Sequence, residues 1–208
     1  MEVPLRFGEN PYQKAGFQPE RTTDPLALQS LRVMAGSRSM TFEEMVGLDV
    51  GIDALARTVE SLRPNQKGHP QVAVVVKHGN PVGIGLDAHE PAVAADRALS
   101  GFSAASSEGV FVCNFPLTPE VGELKAARPT IVAAPALEGL DDGWLSDGAL
   151  ALRSPALEWP SLDRAVGRRA VRGGHSGAGD LKARAPSESH PSSRPSRAGA
   201  ATIVGLAA

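Results

Sequence analysis

The sequence predicts an α/β domain: a three-layer arrangement with a mainly parallel sheet between helices. Two observations carry this. Gln71-Val72-Ala73-Val74-Val75-Val76 is an unbroken apolar run rich in β-branched residues, and Val110-Phe111-Val112-Cys113 and Thr130-Ile131-Val132-Ala133-Ala134 share its character. Runs without polar alternation belong to strands covered on both faces. Helical stretches at 90–99 and 119–127 stand between these runs. Strands alternating with helices at this spacing fit crossover connections and a parallel sheet.

Ahead of the first run, Phe42, Met45, Leu48, Ile52, Leu55, Val59 and Leu62 recur at three- and four-residue steps and give one apolar helix face. Thr41 and Glu44 fit a capping box at its start, and Arg63-Pro64-Asn65 ends it. Residues 4–20 read as an irregular entry segment with a turn at Asn10-Pro11. From Gly173 onward the chain is dominated by Gly, Ser, Pro, Ala, Arg and His. Such a stretch buries too little apolar surface to offset its ordering entropy. Residues 1–172 therefore read as the domain and 173–208 as a disordered or frame-shifted tail.

The 208 residues carry a formal charge of −2, which gives no general attraction to nucleic acid or to anionic membrane. Cys113 is the single cysteine, so no intramolecular disulfide is available and a reducing compartment is expected. The N-terminal residues do not read as a secretory signal, and no apolar run approaches the ~18 residues of a membrane span. A cytoplasmic, soluble protein is the expectation.

Ligands of open α/β sheets bind beyond the carboxyl ends of strands. The first apolar run delivers Lys77-His78-Gly79-Asn80-Pro81 to such an end. Histidine exchanges protons near neutral pH, a neighbouring lysine stabilises developing negative charge, and Asn80 offers an amide to a ligand. Gly79, Gly83 and Gly85 would permit positive φ and close approach, with Pro81 stiffening the loop. As a bare pair, Lys77-His78 also fits a snorkelling lysine beside a loop-capping histidine. A second patch, Leu5 to Gln13, combines Arg6, two aromatics, a glycine and an Asn-Pro turn; Arg6 suits a phosphate or carboxylate, or a plain exposed position.

Together the two patches resemble the formyltransferase domain of the bifunctional purine-biosynthesis enzyme. Leu5 through Gln13 matches that family's Leu-Arg-Tyr-Gly-x-Asn-Pro-His-Gln, with Phe7 for Tyr and Tyr12 for His. Val76-Lys77-His78-Gly79-Asn80-Pro81-Val82-Gly83 matches its Val-Lys-His-x-Asn-Pro-x-Gly. The resemblance implies a cytidine-deaminase-like α/β sandwich without a metal. It implies formyl transfer from the cosubstrate 10-formyltetrahydrofolate to aminoimidazole carboxamide ribonucleotide (AICAR) on the route to IMP, in a homodimer. His78 would be the base and Lys77 its catalytic partner. Arg6, Phe7 and Asn80 would bind substrate. The alternative is a catalytically inactive or merely nucleotide-binding relative. Thr41-Phe42-Glu43-Glu44 stands where the family has Ser-Tyr-Asn-Asn, and Ser107-Glu108-Gly109 where it has Phe-Gly-Gly. The two carboxylates at 43 and 44, in place of amides, are expected to repel a phosphate or to cost a hydrogen-bond donor. Because the resemblance covers the formyltransferase domain, ring closure is not expected of these residues.

Overall fold

The computed structural model describes residues 2–19, 22–63, 68–100, 109–121, 128–139, 145, 148–160 and 171–173. A six-stranded sheet forms the centre. Its strands are β3 (Arg32–Ala35), β4 (Gln71–Lys77), β5 (Asn80–Asp87), β6 (Val110–Cys113), β7 (Ile131–Ala134) and β8 (Leu150–Arg153), in the order β3-β8-β7-β6-β4-β5. A small antiparallel sheet joins β1 (Val3–Pro4), β2 (Ala15–Phe17) and β9 (Val171–Gly173).

The two helices cover opposite faces of the large sheet. Helix α1 (Phe42–Leu62) buries Met45, Leu48, Ile52, Leu55 and Val59 against Val72, Val74 and Val76 of β4 and their neighbours on β6, β7 and β8. The alternate residues Ala73 and Val75, with Phe111, Cys113, Val132 and Ala134, point the other way. They meet Ala94, Ala95 and Ala98 of α2 (Pro91–Ser100). A period of two along strands covered on both sides produces this division, so the three-layer expectation holds. Thr41 and Glu44 form the expected capping box.

The expected parallel sheet does not. Three of the five pairings are antiparallel, and only β6–β7 and β7–β8 are parallel, so the sheet is mixed. For β4 and its two neighbours the cause lies immediately after Lys77. His78 and Gly79 both take positive φ, 49° and 70°, and make the two-residue turn of a hairpin. Such turns match the twist of the flanking strands. The chain therefore returns along β4 as β5 instead of entering a crossover helix. The crossover does exist, but it runs from β5 through α2 to β6 and straddles β4.

Pro81, Gly83 and Gly85, read above as a loop, lie within β5. Pro81 is tolerated because β5 is an edge strand, and a bulge sets Val76 opposite Pro81 after Val75 opposite Gly83. Gly83 and Gly85 serve packing, not a ligand. A Cβ at Gly85 would fall 1.9 Å from the Ala94 carbonyl oxygen, and one at Gly83 would fall 2.0 Å from that of Ala98. The α2 backbone lies directly on the strand. Residues 119–120 of the expected second crossover helix form a turn; of the expected tail 173–208, Gly173 pairs with Ala15 in β9, while 174–208, like 122–127 and Glu108, lie outside the described residues. Among the described residues, no helix is long and apolar enough to cross a membrane.

Candidate active site

Helix α1 begins beside the end of β4, and the N-terminal patch is tied to the start of that helix. The Arg6 amide donates to the Met40 carbonyl (2.8 Å), and the Phe42 amide, at the first position of α1, donates to the Phe7 carbonyl (3.0 Å). One of the helix's otherwise orphaned N–H groups is thus satisfied by the patch itself. The rest of the patch closes locally. Gln13 N–H donates to the Asn10 carbonyl, Tyr12 N–H to Asn10 Oδ1, and Gly8 N–H to the Gln13 carbonyl. Arg6 is exposed, with its guanidinium 5.6 Å from the centre of the Phe7 ring.

These contacts enclose a cleft of about 400 Å³. Arg6 and Phe7 form one wall, Arg38, Thr41, Glu43, Glu44 and Gly47 a second, and Val76, Lys77 and His78 a third. Gly109, Val110, Thr130, Gly148 and Ala149 complete the lining. The cleft therefore sits at the carboxyl end of β4 but at the amino ends of β6, β7 and β8, because β4 runs against β6. A larger concavity of about 680 Å³ on the entry segment also includes Arg6 but contains neither Lys77 nor His78.

Four of the five sequence-selected residues, Arg6, Phe7, Lys77 and His78, line this cleft. Asn80 is not among its lining residues. Its amide donates to the His78 carbonyl (2.9 Å) across the hairpin turn. Sequence reasoning did not select Arg38, whose guanidinium makes two-pronged contact with Glu44: Nη1 to Oε2 at 2.7 Å and Nη2 to Oε1 at 2.6 Å. The same side chain donates to the Gly148 carbonyl through Nε and to Thr130 O through Nη2. A lone arginine in a polar loop carries no pattern that would single it out.

Glu44 is spoken for. Burial raises its pKa, but the Arg38 hydrogen bonds, the Thr41 backbone N–H, the Arg38 charge and the Thr130 hydroxyl outweigh that and hold it below the usual carboxylate range. Glu43 lies against His78, Oε1 on Nδ1. The anionic cleft expected from the two carboxylates is thus offset: Arg6, Arg38 and Lys77 stand against Glu43 and Glu44. Among the described residues, no group of three or more His, Cys, Asp or Glu is placed to hold a metal ion.

The cleft brings a Lys-His pair and two arginines, Arg6 and Arg38, to one strand end, in a volume of the order of small-molecule pockets. The family is the AICARFT/IMPCHase bienzyme family, which matches residues 1–139, and this chain belongs to it. Among its relatives is the bifunctional purine biosynthesis protein PurH of Oceanobacillus iheyensis, 30% identical over 135 residues, or 64% of this chain and 24% of that protein. PurH of Chlorobium phaeobacteroides strain BS1 is 29% identical over 144 residues, 66% of this chain and 25% of the relative. PurH of Sorangium cellulosum reaches 37% over 83 residues, 39% of this chain and 14% of the relative. The chain spans about a quarter of the length of the first two relatives.

Proposed function

We propose that this chain carries AICAR formyltransferase chemistry: transfer of the formyl group of 10-formyltetrahydrofolate to the 5-amine of AICAR, leading to IMP. In this reading the amine nitrogen attacks the formyl carbon, and the bond from that carbon to folate N10 breaks. His78 takes the proton the amine loses. Lys77 assists proton delivery to N10 and stabilises developing charge. Arg6 and Phe7 hold the nucleotide end, and Asn80 acts through the turn that carries His78. The reading rests on one observation: Arg6 and Phe7 line the same cleft as Lys77 and His78, about seventy positions away, and both pairs lie within the residues the family matches. A volume of about 400 Å³ lies within the ~300–1,000 Å³ of small-molecule pockets.

The fold, in this reading, is the cytidine-deaminase-like sandwich and the working assembly a cytoplasmic homodimer; a monomeric mass in solution would count against the dimer. The test is formyl transfer by the purified chain given AICAR and 10-formyltetrahydrofolate. Turnover abolished in Lys77→Ala and His78→Ala, with AICAR binding retained, is the expected result. A second reading, a relative that binds AICAR without turnover, is favoured by Glu43 and Glu44, two carboxylates lining the cleft where the family motif has amides. Calorimetric binding of AICAR with no formyl transfer would select it. Absence of both would refute both readings.

A further inference from the structure

We infer that Glu43 is a positioning residue for His78, fixing which imidazole nitrogen carries the proton; its effect on turnover rests on the formyltransferase reading, its effect on the ring does not.

The geometry starts from the turn. His78 has φ 49°, a conformation unfavourable for a residue with a Cβ, and it is held there by the hairpin and by the Asn80 amide on its carbonyl. The backbone thus presents the ring to the first turn of α1, where Glu43 sits. Negative charge is favoured at a helix N-terminus. An ionised carboxylate has acceptors only, so its contact with Nδ1 requires Nδ1 to carry the hydrogen. Nε2 is left with the lone pair. That is the nitrogen able to receive a proton.

The pair's exposure separates this role from a structural one. The His78 and Glu43 side chains are 73% and 51% exposed, and an ion pair that open to water contributes little to folding. Glu44, one residue on, makes the capping box and the Arg38 bridge, so the fold does not depend on Glu43 for either. Glu43 is the residue of this turn whose contact is with the motif histidine.

The test is imidazole ¹⁵N NMR of the full chain, titrated until the ring is neutral, with the His78 signals assigned by their loss in His78→Gln. The expected wild-type spectrum has a protonated Nδ1 and an unprotonated Nε2. Glu43→Ala should move His78 toward the solvent mixture of tautomers, while Glu43→Gln, which keeps an acceptor oxygen, should retain the wild-type form. Unchanged thermal unfolding in both variants is expected. In the transfer assay Glu43→Ala should lower kcat about tenfold with little change in KM for AICAR, and Glu43→Gln should recover most of it, a loss smaller than the ~10²–10⁴-fold contributed by a whole general base. An unprotonated Nδ1 in the wild type, or a tautomer that Glu43→Ala leaves unmoved, would overturn the assignment whatever the activity. A chain without formyl transfer whose tautomer responds as described would refute the formyltransferase reading and leave the Glu43 assignment standing.

Discussion

Replacing Arg38 by methionine removes the guanidinium and keeps most of the stem. It strands Glu44, whose side chain is 14% exposed, while that of Arg38 is 21% exposed. Exposed pairs are worth about 0–1 kcal/mol, whereas breaking a fully buried pair costs about 3–5 kcal/mol. Glu44 keeps the Thr41 N–H, at 2.8 Å, and its contact with Thr130 after the loss, so its isolation is incomplete. A cost between those limits follows, about 2–3 kcal/mol, or roughly 30- to 150-fold in the folding equilibrium at 1.4 kcal/mol per decade. Urea unfolding at neutral pH, with an unchanged dependence on denaturant, reads this directly. The double variant Arg38→Met/Glu44→Gln should recover about half, because the stranded charge is gone. The pH dependence has a definite sign. Glu44 titrates below the ordinary 4.5, so its contribution is fully present above about pH 4.5 and is lost as pH falls through the lowered folded value. In Arg38→Met, burial is left with less to oppose it, so the gap from wild type should be widest near neutrality and close in acid. A loss under ~0.5 kcal/mol, or a double variant as unstable as the sum of the singles, would refute the ion-pair account.

Other perturbations follow from the packing. Gly85→Ala forces a methyl to within 1.9 Å of the Ala94 carbonyl and 2.4 Å of the Ala98 amide, so α2 must lift from β5. We expect a loss of about 2–3 kcal/mol in thermal or urea unfolding; an unchanged midpoint would show that the helix yields freely. Asn114→Ala removes the acceptor of the buried Val72 amide (2.7 Å) and the donor to the Pro70 carbonyl (2.8 Å). Its expected cost is about 2–4 kcal/mol by urea unfolding. The fully buried Cys113 thiol has its pKa pushed up by burial, so a thiol reagent should label it at the rate of global unfolding, and rapid labelling under native conditions would refute its position in the core.

The legible parts of the fold were those fixed by local pattern. Apolar spacing and the Thr41–Glu44 cap gave α1 within a residue of its ends, and uninterrupted β-branched runs gave β4, β6 and β7. Strand β5 was not legible, since Pro81, Gly83 and Gly85 signal a loop in isolation. What makes them a strand is non-local: an edge position that forgives proline, and a helix so close that only glycine fits beneath it. Missing one hairpin reversed the inferred direction of β4 relative to β6, and with it the parallel sheet.

The site divides along the same line. The sequence by itself determined which residues to examine, because Arg6-Phe7 and Lys77-His78 stand in family-like strings of fixed spacing. Only the tertiary structure decided that these strings share a cleft, through two backbone hydrogen bonds that tie residues 6 and 7 to the start of α1. It also decided what the two glutamates do. Read in line, Glu43 and Glu44 are adjacent negative charges. In the fold a helix turn sends them to different partners, Glu44 to Arg38 six residues back and Glu43 to His78 thirty-five residues on, and neither pairing is written in the spacing of the two glutamates.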